Sequence, residues 1–348
     1  MRVKKRGQNE DRITIIDIGK EAGVSYATVS RVINNKGNVN PESRERVLRA
    51  MTQLGYVANT QARSLAGGRS YVVGLLVQDL GTGYIGEVIR GIDDELAKAQ
   101  YNLMLFTTHR RKVKESLFVT TLTQGSSDGL LLVLPRNAVA YLDSLRRRKF
   151  PYVLIDHQGI DELGPSVGAS NWQGGYDATN YLIELGHRRI GFIMGTPELG
   201  CSQRRLEGYK AALCHHNLPV DPALIQEGDF YQPAGFKGGV ELLKLANRPT
   251  AIFASNDMMA FGVMDAVREE GLSIPKDISI IGFDDILQSA NVHPRLTTVR
   301  QPLEQMGRVA TTMLLELINN PDRQPEKLEL ATELIIRETC QPPLNQND

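Results

Sequence analysis

Three glycines, Gly81, Gly83 and Gly86, follow the apolar run 72-VVGLLV-77 in the spacing G-x-G-x-x-G. That spacing can cradle a dinucleotide pyrophosphate and would suit a nicotinamide enzyme. A second set of residues points to different chemistry. The positions that follow successive apolar runs are Asp79, Thr107, Asp156, Asn256 with Asp257, and Asp284. Carboxylates and carboxamides match the paired hydroxyls of a sugar, and Tyr84, Trp172 and Phe230 offer aromatic faces for stacking. A third set lies near the N-terminus. Tyr26, Ala27, Ser30, Arg31 and Asn34 recur at spacings that place a phenol, a methyl, a hydroxyl, a guanidinium and a carboxamide on one helix face. Such groups read base edges and bind phosphates in a major groove.

The elements that would carry the third set are well punctuated. Thr14 can cap a first helix, with Asp17 three residues on and Ile15, Ile18 and Ala22 on its apolar face. Gly23 breaks it. Ser25 caps a second helix, from Tyr26 to Asn34, whose Val29, Val32 and Ile33 face inward. Asn40 caps a third, with Pro41 at its first position and Gly55 just past its end. Helix, tight turn, helix is a DNA-binding layout. Charge agrees. The chain is formally neutral, yet residues 1–69 carry thirteen Lys and Arg against six Asp and Glu, and no acid falls between Glu21 and Glu42. A basic head on an acidic body predicts a polyanion partner for the head alone. Ahead of it lies a basic arm with Arg2, Lys4, Lys5 and Arg6.

From residue 71 onward, apolar runs (72–77, 101–106, 129–135, 152–156, 189–195, 250–255, 278–283) alternate with helical patterns. That alternation predicts parallel sheets covered on both faces, folded as two doubly wound subdomains. Ligands in such sheets sit beyond the carboxyl ends of the strands, which is where the acids fall. The glycine triplet fits a dinucleotide site less well. Asp79 and Leu80 separate it from its strand, and the acid expected about 20 residues on is replaced by 107-TTHRRK-112. That basic run could take a 2′-phosphate, so an NADP-binding oxidoreductase stands as the enzyme alternative. No Walker A, H-E-x-x-H or G-x-S-x-G sequence is present. Cys201, Cys214 and Cys340 form no C-x-x-C, and His215–His216 lack further ligands at metal spacing, so no metal or cofactor is expected. No apolar run approaches the ~20 residues that span a bilayer, and the N-terminus has no secretory h-region.

The stretch 16-IDIGKEAGVSYATVSRVINN-35 resembles the headpiece of the lactose/galactose repressor family of ligand-responsive bacterial transcription regulators. The stretches 185-LGHRRIGFI-193, 203-QRRLEGYKAAL-213, 254-ASNDMMAFGVMDAVREEGLSIPKDISIIGFDD-285 and 294-PRLTTVRQP-302 extend the resemblance from Ile13 to Thr339. It implies that Tyr26, Ala27 and Arg31 read bases, while Thr14, Ser25, Thr28 and Ser30 hold the DNA backbone. In 56-YVANTQARSLAGGRS-70 it implies a hinge helix, with Leu65 wedged into a central CpG step from the minor groove beside Asn59 and Ala62. In the body it implies ligand-binding roles for Arg205, Asn256, Asp284, Phe230 and Asp156, and less securely for Asp79 and Tyr84.

The resulting expectation is a periplasmic-binding-protein-like α/β regulator with an N-terminal helix-turn-helix head. Its parts are a basic arm (1–12), the DNA-binding domain (13–58), a hinge (59–69), an effector-binding core (70–340) and a tail (341–348). Within the core, the first subdomain takes 70–167 plus 298–330, and the second 168–297 plus 331–340. The expected partners are a pseudopalindromic operator, a sugar effector and a second copy of the chain. The tail lacks heptads, which favours a dimer, and the protein is expected in the cytoplasm. A purine or nucleoside corepressor is the alternative effector.

Overall fold

The computed structural model describes residues 13–33, 39–56, 69–109, 111–136, 138–157, 164–324 and 326–344. The basic arm, Asn34 and the hinge positions Asn59, Ala62 and Leu65 lie outside them. The chain divides into two compact units, Met1–Tyr71 and Val72–Asp348.

Local chemistry sets the first unit. Helix α1 (Ile15–Ala22) begins at Thr14, whose backbone N–H and hydroxyl both donate to the Asp17 carboxylate, at 2.9 and 2.7 Å. It stops at Gly23, whose φ of 64° is the left-handed conformation that glycine adopts without a Cβ clash. Helix α2 (Tyr26–Ile33) starts at Ser25, whose Oγ accepts from the Thr28 N–H at 3.2 Å. Helix α3 (Pro41–Gln53) has a proline first and Asn40 Oδ1 accepting from the Glu42 N–H at 2.9 Å. Eight-residue helices fray in isolation. Here the three close on Ile18, Ala22, Val29, Val32, Val47 and Ala50. Each buried Ile or Val contributes about 1.5–3 kcal/mol.

In the second unit the apolar runs become the strands of two sheets. One lobe holds β1 (Val72–Val77), β2 (Asn102–Thr107), β3 (Gly129–Val133), β4 (Tyr152–Ile155), β5 (Ser166–Ala169) and β11 (Lys327–Leu330). Their spatial order is β11-β5-β4-β3-β1-β2, every neighbour parallel. The other holds β6 (Ile190–Met194), β7 (Ile225–Glu227), β8 (Ala251–Ala254), β9 (Ser279–Asp284), β10 (Thr297–Arg300) and β12 (Glu333–Ile335). Their order is β12-β10-β9-β8-β6-β7, antiparallel only where β12 meets β10. The chain passes between lobes after Ala169, after Arg300 and between Leu330 and Glu333. The expected boundaries at 168 and 298 therefore need moving. Thr297–Arg300 pairs with β9 in the second sheet, so the return to the first lobe comes only with the helix that follows.

One helix pair matters most for the site. Helices α7 (Asn171–Glu184) and α8 (Gly200–His215) meet backbone to backbone. A Cβ at Gly175 would lie 2.5 Å from the Arg205 carbonyl oxygen, and one at Gly208 would lie 2.2 Å from that of Trp172. Glycine at both places brings Asn171, at the start of α7, within reach of the Arg205 side chain.

Candidate functional site

On the head, α2 buries Val29 and Val32 and leaves Tyr26, Ala27 and Arg31 exposed on the other face. Ser25 and Thr28 share a hydroxyl–hydroxyl bond of 2.9 Å at the start of the helix. Thr14 is tied to Asp17, and those two bonds, the side-chain one first, hold the Asp17 carboxyl below its usual range. The surface facing outward is thus a phenol, a methyl and a guanidinium over polar helix starts. Each is a group that contacts base edges or phosphates.

In the second unit the strand ends converge on one partly open cavity, about 590 Å³ when the solvent space at its mouth is included. Asp79, Tyr84, Asp156, Arg205, Phe230, Asn256 and Asp284 all line it. At its centre is Arg205, only 2 % exposed. Its Nε donates to Asn171 Oδ1 at 2.7 Å and its Nη1 to the Ser255 carbonyl at 2.5 Å. Nη1 also lies 3.7 Å from Asp284 Oδ1. The guanidinium sits over the Phe283 ring, 3.7 Å from its centroid, with Phe230 at 5.7 Å. Asp156 accepts from the Tyr84 hydroxyl at 3.2 Å and from Asn171 Nδ2 at 3.0 Å. Burial pushes the carboxyls of Asp156 and Asp284 up, against the opposing pull of Arg205. Four lining residues hold left-handed backbones, Leu134 at φ 47°, Asp156 at 55°, Phe230 at 73° and Asp284 at 119°. Non-glycine residues in that region are strained, and such strain collects at ligand sites.

Asn256 caps helix α10 (Asp257–Glu269), accepting the Met259 N–H at 2.9 Å and donating to the Phe230 carbonyl at 3.0 Å. It therefore fixes Phe230 as well as lining the cavity. Trp172 is a correction. It does not line the cavity but stacks on Tyr176 at 5.5 Å on the outer side of α7 and is 37 % exposed. Its neighbour Asn171 points inward instead, because adjacent residues on a helix project about 100° apart. Thr107 is also absent from the lining, since β2 is the edge strand of its sheet.

The sequence reading missed Asn171, Cys201 and Arg136. Asn171 follows β5, a four-residue strand too short to register as an apolar run. Cys201 lies one turn before Arg205 on the same face of α8, and burial pushes its thiol up to about 12. Arg136 directly follows the third apolar run, 129–135, but as a cation it breaks the series of acids and amides found at the other strand ends.

Asp257, which follows the same apolar run as Asn256, neither lines the cavity nor caps the helix. Its carboxylate is fully buried and accepts from Ile286 N–H (3.0 Å), Ser289 Oγ (2.6 Å) and Thr298 Oγ1 (2.5 Å). It ties the segment after Asp284 to β10. Burial pushes it up to about 7 despite the three donors. The folded protein then holds a proton between pH 4 and 7 that the unfolded chain releases, so this group's contribution is present at low pH and is lost as pH rises to 7. Asp257→Asn should flatten that part of the pH–stability curve. Urea unfolding at pH 5 and pH 7 measures it, and an unchanged slope would contradict the assignment.

The glycine triplet resolves in the same region. Gly81 N–H bonds Asp79 Oδ1 at 3.0 Å in a local turn, and Gly83 opens helix α4 (Gly83–Lys98) against Ile286 and Gln288. A Cβ would meet nothing within 4 Å at Gly86 and only the Asp79 carboxylate, at 3.6 Å, at Gly81. Two of the three positions do not need glycine, unlike a fingerprint in which each admits a close backbone approach.

A helical head that exposes a phenol and a guanidinium on one face, and a two-lobed core with a polar interlobe cavity, define a ligand-responsive DNA-binding transcription regulator. Residues 14–59 match the bacterial regulatory proteins of the lacI family, and residues 179–340 a periplasmic binding protein-like domain. The chain is 34% identical to catabolite control protein A of Priestia megaterium, over 94% of this chain and 99% of that one. Among solved structures, the lac repressor dimer bound to operator and the anti-inducer ONPF has TM-score 0.84 at 28% identity, covering 95% of this chain and all of that one. A CelR–cellobiose complex has TM-score 0.73 at 31% identity, covering 94% and 100%. The chain belongs to the lacI family. Its relatives regulate transcription, which disposes of the nicotinamide-enzyme reading.

Proposed function

We propose that this regulator is a dimeric repressor whose operator affinity is set by a sugar bound between the lobes. The observation that carries the reading is the cavity itself. Asp156, Arg205 and Asp284 present buried hydrogen-bonding groups beside the Phe230 ring, with Asn171 bonded to Asp156 and Arg205 behind them, a combination that grips a hydroxylated ring edge-on and face-on. The likeness to a regulator solved with cellobiose supports it.

Dimerisation through the first lobe is supported by its sheet edge. Strand β2 has an unpaired side, with Leu105 37 % exposed, and Leu117 on helix α5 (Lys112–Thr123) is 61 % exposed. Apolar edges of this kind are covered in stable proteins. Two heads on such a dimer read the halves of a pseudopalindromic operator in the cytoplasm, with Tyr26, Ala27 and Arg31 on base edges. The hinge residues Asn59, Ala62 and Leu65 bind the central step. A change in lobe angle that alters the spacing of the two hinges couples effector to operator.

A purine effector is the second reading, favoured by the two phenylalanine rings flanking Arg205. Isothermal titration with mono- and oligosaccharides against purines and nucleosides decides between them, and tight purine binding with no sugar response ends the sugar reading. Asp284→Ala should abolish the effector response while leaving operator affinity within about twofold, since a buried group of the second unit alters DNA binding only through the coupling. An unchanged response would place the effector elsewhere.

A further inference from the structure

We infer that the effector carries an anionic group, a carboxylate or a phosphate, and that Arg136 binds it. This deepens the reading above and rests on its claim that the effector binds between the lobes. Arg136 lies just past the carboxyl end of β3 and lines the cavity. Its backbone N–H donates to the buried Glu115 carboxylate at 3.0 Å, which fixes the root of the side chain. The side chain then crosses the cleft, and Nη2 donates to Thr196 Oγ1, just past the end of β6 in the other lobe, at 3.2 Å. Its Nε is buried and has no hydrogen-bond partner.

The two cavity arginines are in opposite situations. Arg205 is engaged on Asn171, Ser255 and Asp284. Arg136 has one neutral hydroxyl and, among the described residues, no carboxylate in ion-pairing distance of its guanidinium. The cavity's acids are occupied by other donors. Asp156 takes Tyr84 and Asn171, Asp284 takes Gln301, Asp79 takes the Tyr231 hydroxyl and Gly81 N–H, and Asp229 takes the Tyr231 N–H. A guanidinium with a buried, unsatisfied N–H is unfavourable unless an acceptor arrives. The planar fork of an arginine is matched by a carboxylate or phosphate, which can take Nε and an Nη together. The cavity is therefore bipolar, with acceptors for hydroxyls around Asp156 and Asp284 and an unmatched cation between β3 and β6.

The test uses the full-length protein in isothermal titration with matched sets: glucose, glucuronate and glucose 6-phosphate; galactose, galacturonate and galactose 6-phosphate; adenosine and adenosine monophosphate. In one set an anionic member should bind about 10- to 100-fold more tightly than its neutral parent, the range of a charge-assisted bond. Whether the uronate or the phosphate wins identifies the group. Arg136→Gln should erase the difference, bringing the anionic member down to its neutral parent, while Arg136→Lys keeps part of it. Raising salt should weaken the anionic member only, with thermal melts confirming that both variants are folded. Neutral parents binding as well as their anionic partners, or no anionic member binding at all, overturns the inference. So does an equal loss for both members in Arg136→Gln, which makes the residue a tie between lobes. A neutral sugar that binds with no anionic gain sinks this inference and leaves the sugar reading standing. An anionic gain confined to the adenosine pair does the reverse.

Discussion

Arg205→Ala is expected to lower the stability of the core by about 3–5 kcal/mol, the usual result of removing one partner from a buried charge pair. The guanidinium is the only described cation in contact with Asp284, and three of its connections are to groups just as buried as itself: Asn171, the Ser255 carbonyl and Asp284. Removing it leaves Asn171 Oδ1 without its donor, and Asn171 in turn orients Asp156. The pH dependence gives a sharper check. Burial already raises Asp156 and Asp284, and Arg205 is the largest influence pulling both back. Without it both rise further, and the folded protein holds protons that the unfolded chain gives up. Stability of the variant should then fall as pH rises from 5 to 8, more steeply than that of the wild type. Urea unfolding at both ends of that range measures it. A loss under about 1 kcal/mol, or a parallel pH profile, would mean the carboxyls do not depend on this arginine. Arg205→Lys keeps the charge but not the planar fork, so it should recover some stability and little effector affinity.

Legibility in the sequence followed the strength of local signals. The head was readable nearly residue by residue, because each helix there starts at a side-chain cap and two end near a left-handed glycine, and caps are local chemistry. The central strands β1, β3, β4, β6, β8 and β9 were readable because a strand covered on both faces must be apolar throughout. The strands β5, β7, β10, β11 and β12 were not. SVGA, IQE, TTVR, KLEL and ELI are short, and all five lie at or next to a sheet edge, where polar residues are tolerated. The lobe boundary was misplaced at β10 for that reason, since TTVR carries no apolar run to betray that it pairs with β9. In the cavity, the acids at strand ends stood out, whereas Asn171 depended on an unread strand and Arg136 on a contact across two lobes. Trp172 misled because aromaticity says nothing about which way a helix position faces.

The operator side carries the other large effect. Arg31→Ala should cost about 1–3 kcal/mol per half-site, and roughly 2–6 kcal/mol for a dimer whose two heads act independently. The side chain is exposed on the face of α2 opposite the buried Val29 and Val32, so its removal leaves the head's core intact and the loss falls on DNA contact. The discriminating measurement is fluorescence anisotropy against a set of operators with each half-site position substituted in turn. If Arg31 grips a base edge, the variant becomes indifferent at one position and keeps its preferences elsewhere, and the salt dependence hardly moves. If it neutralises a phosphate, affinity falls uniformly across all sequences and the salt slope drops by about one. Ala27 sharpens the prediction. A methyl donates no hydrogen bond, so of the three exposed groups Tyr26, Ala27 and Arg31 only the phenol and the guanidinium can make polar contact with a base, and the loss of Arg31 removes one of the two.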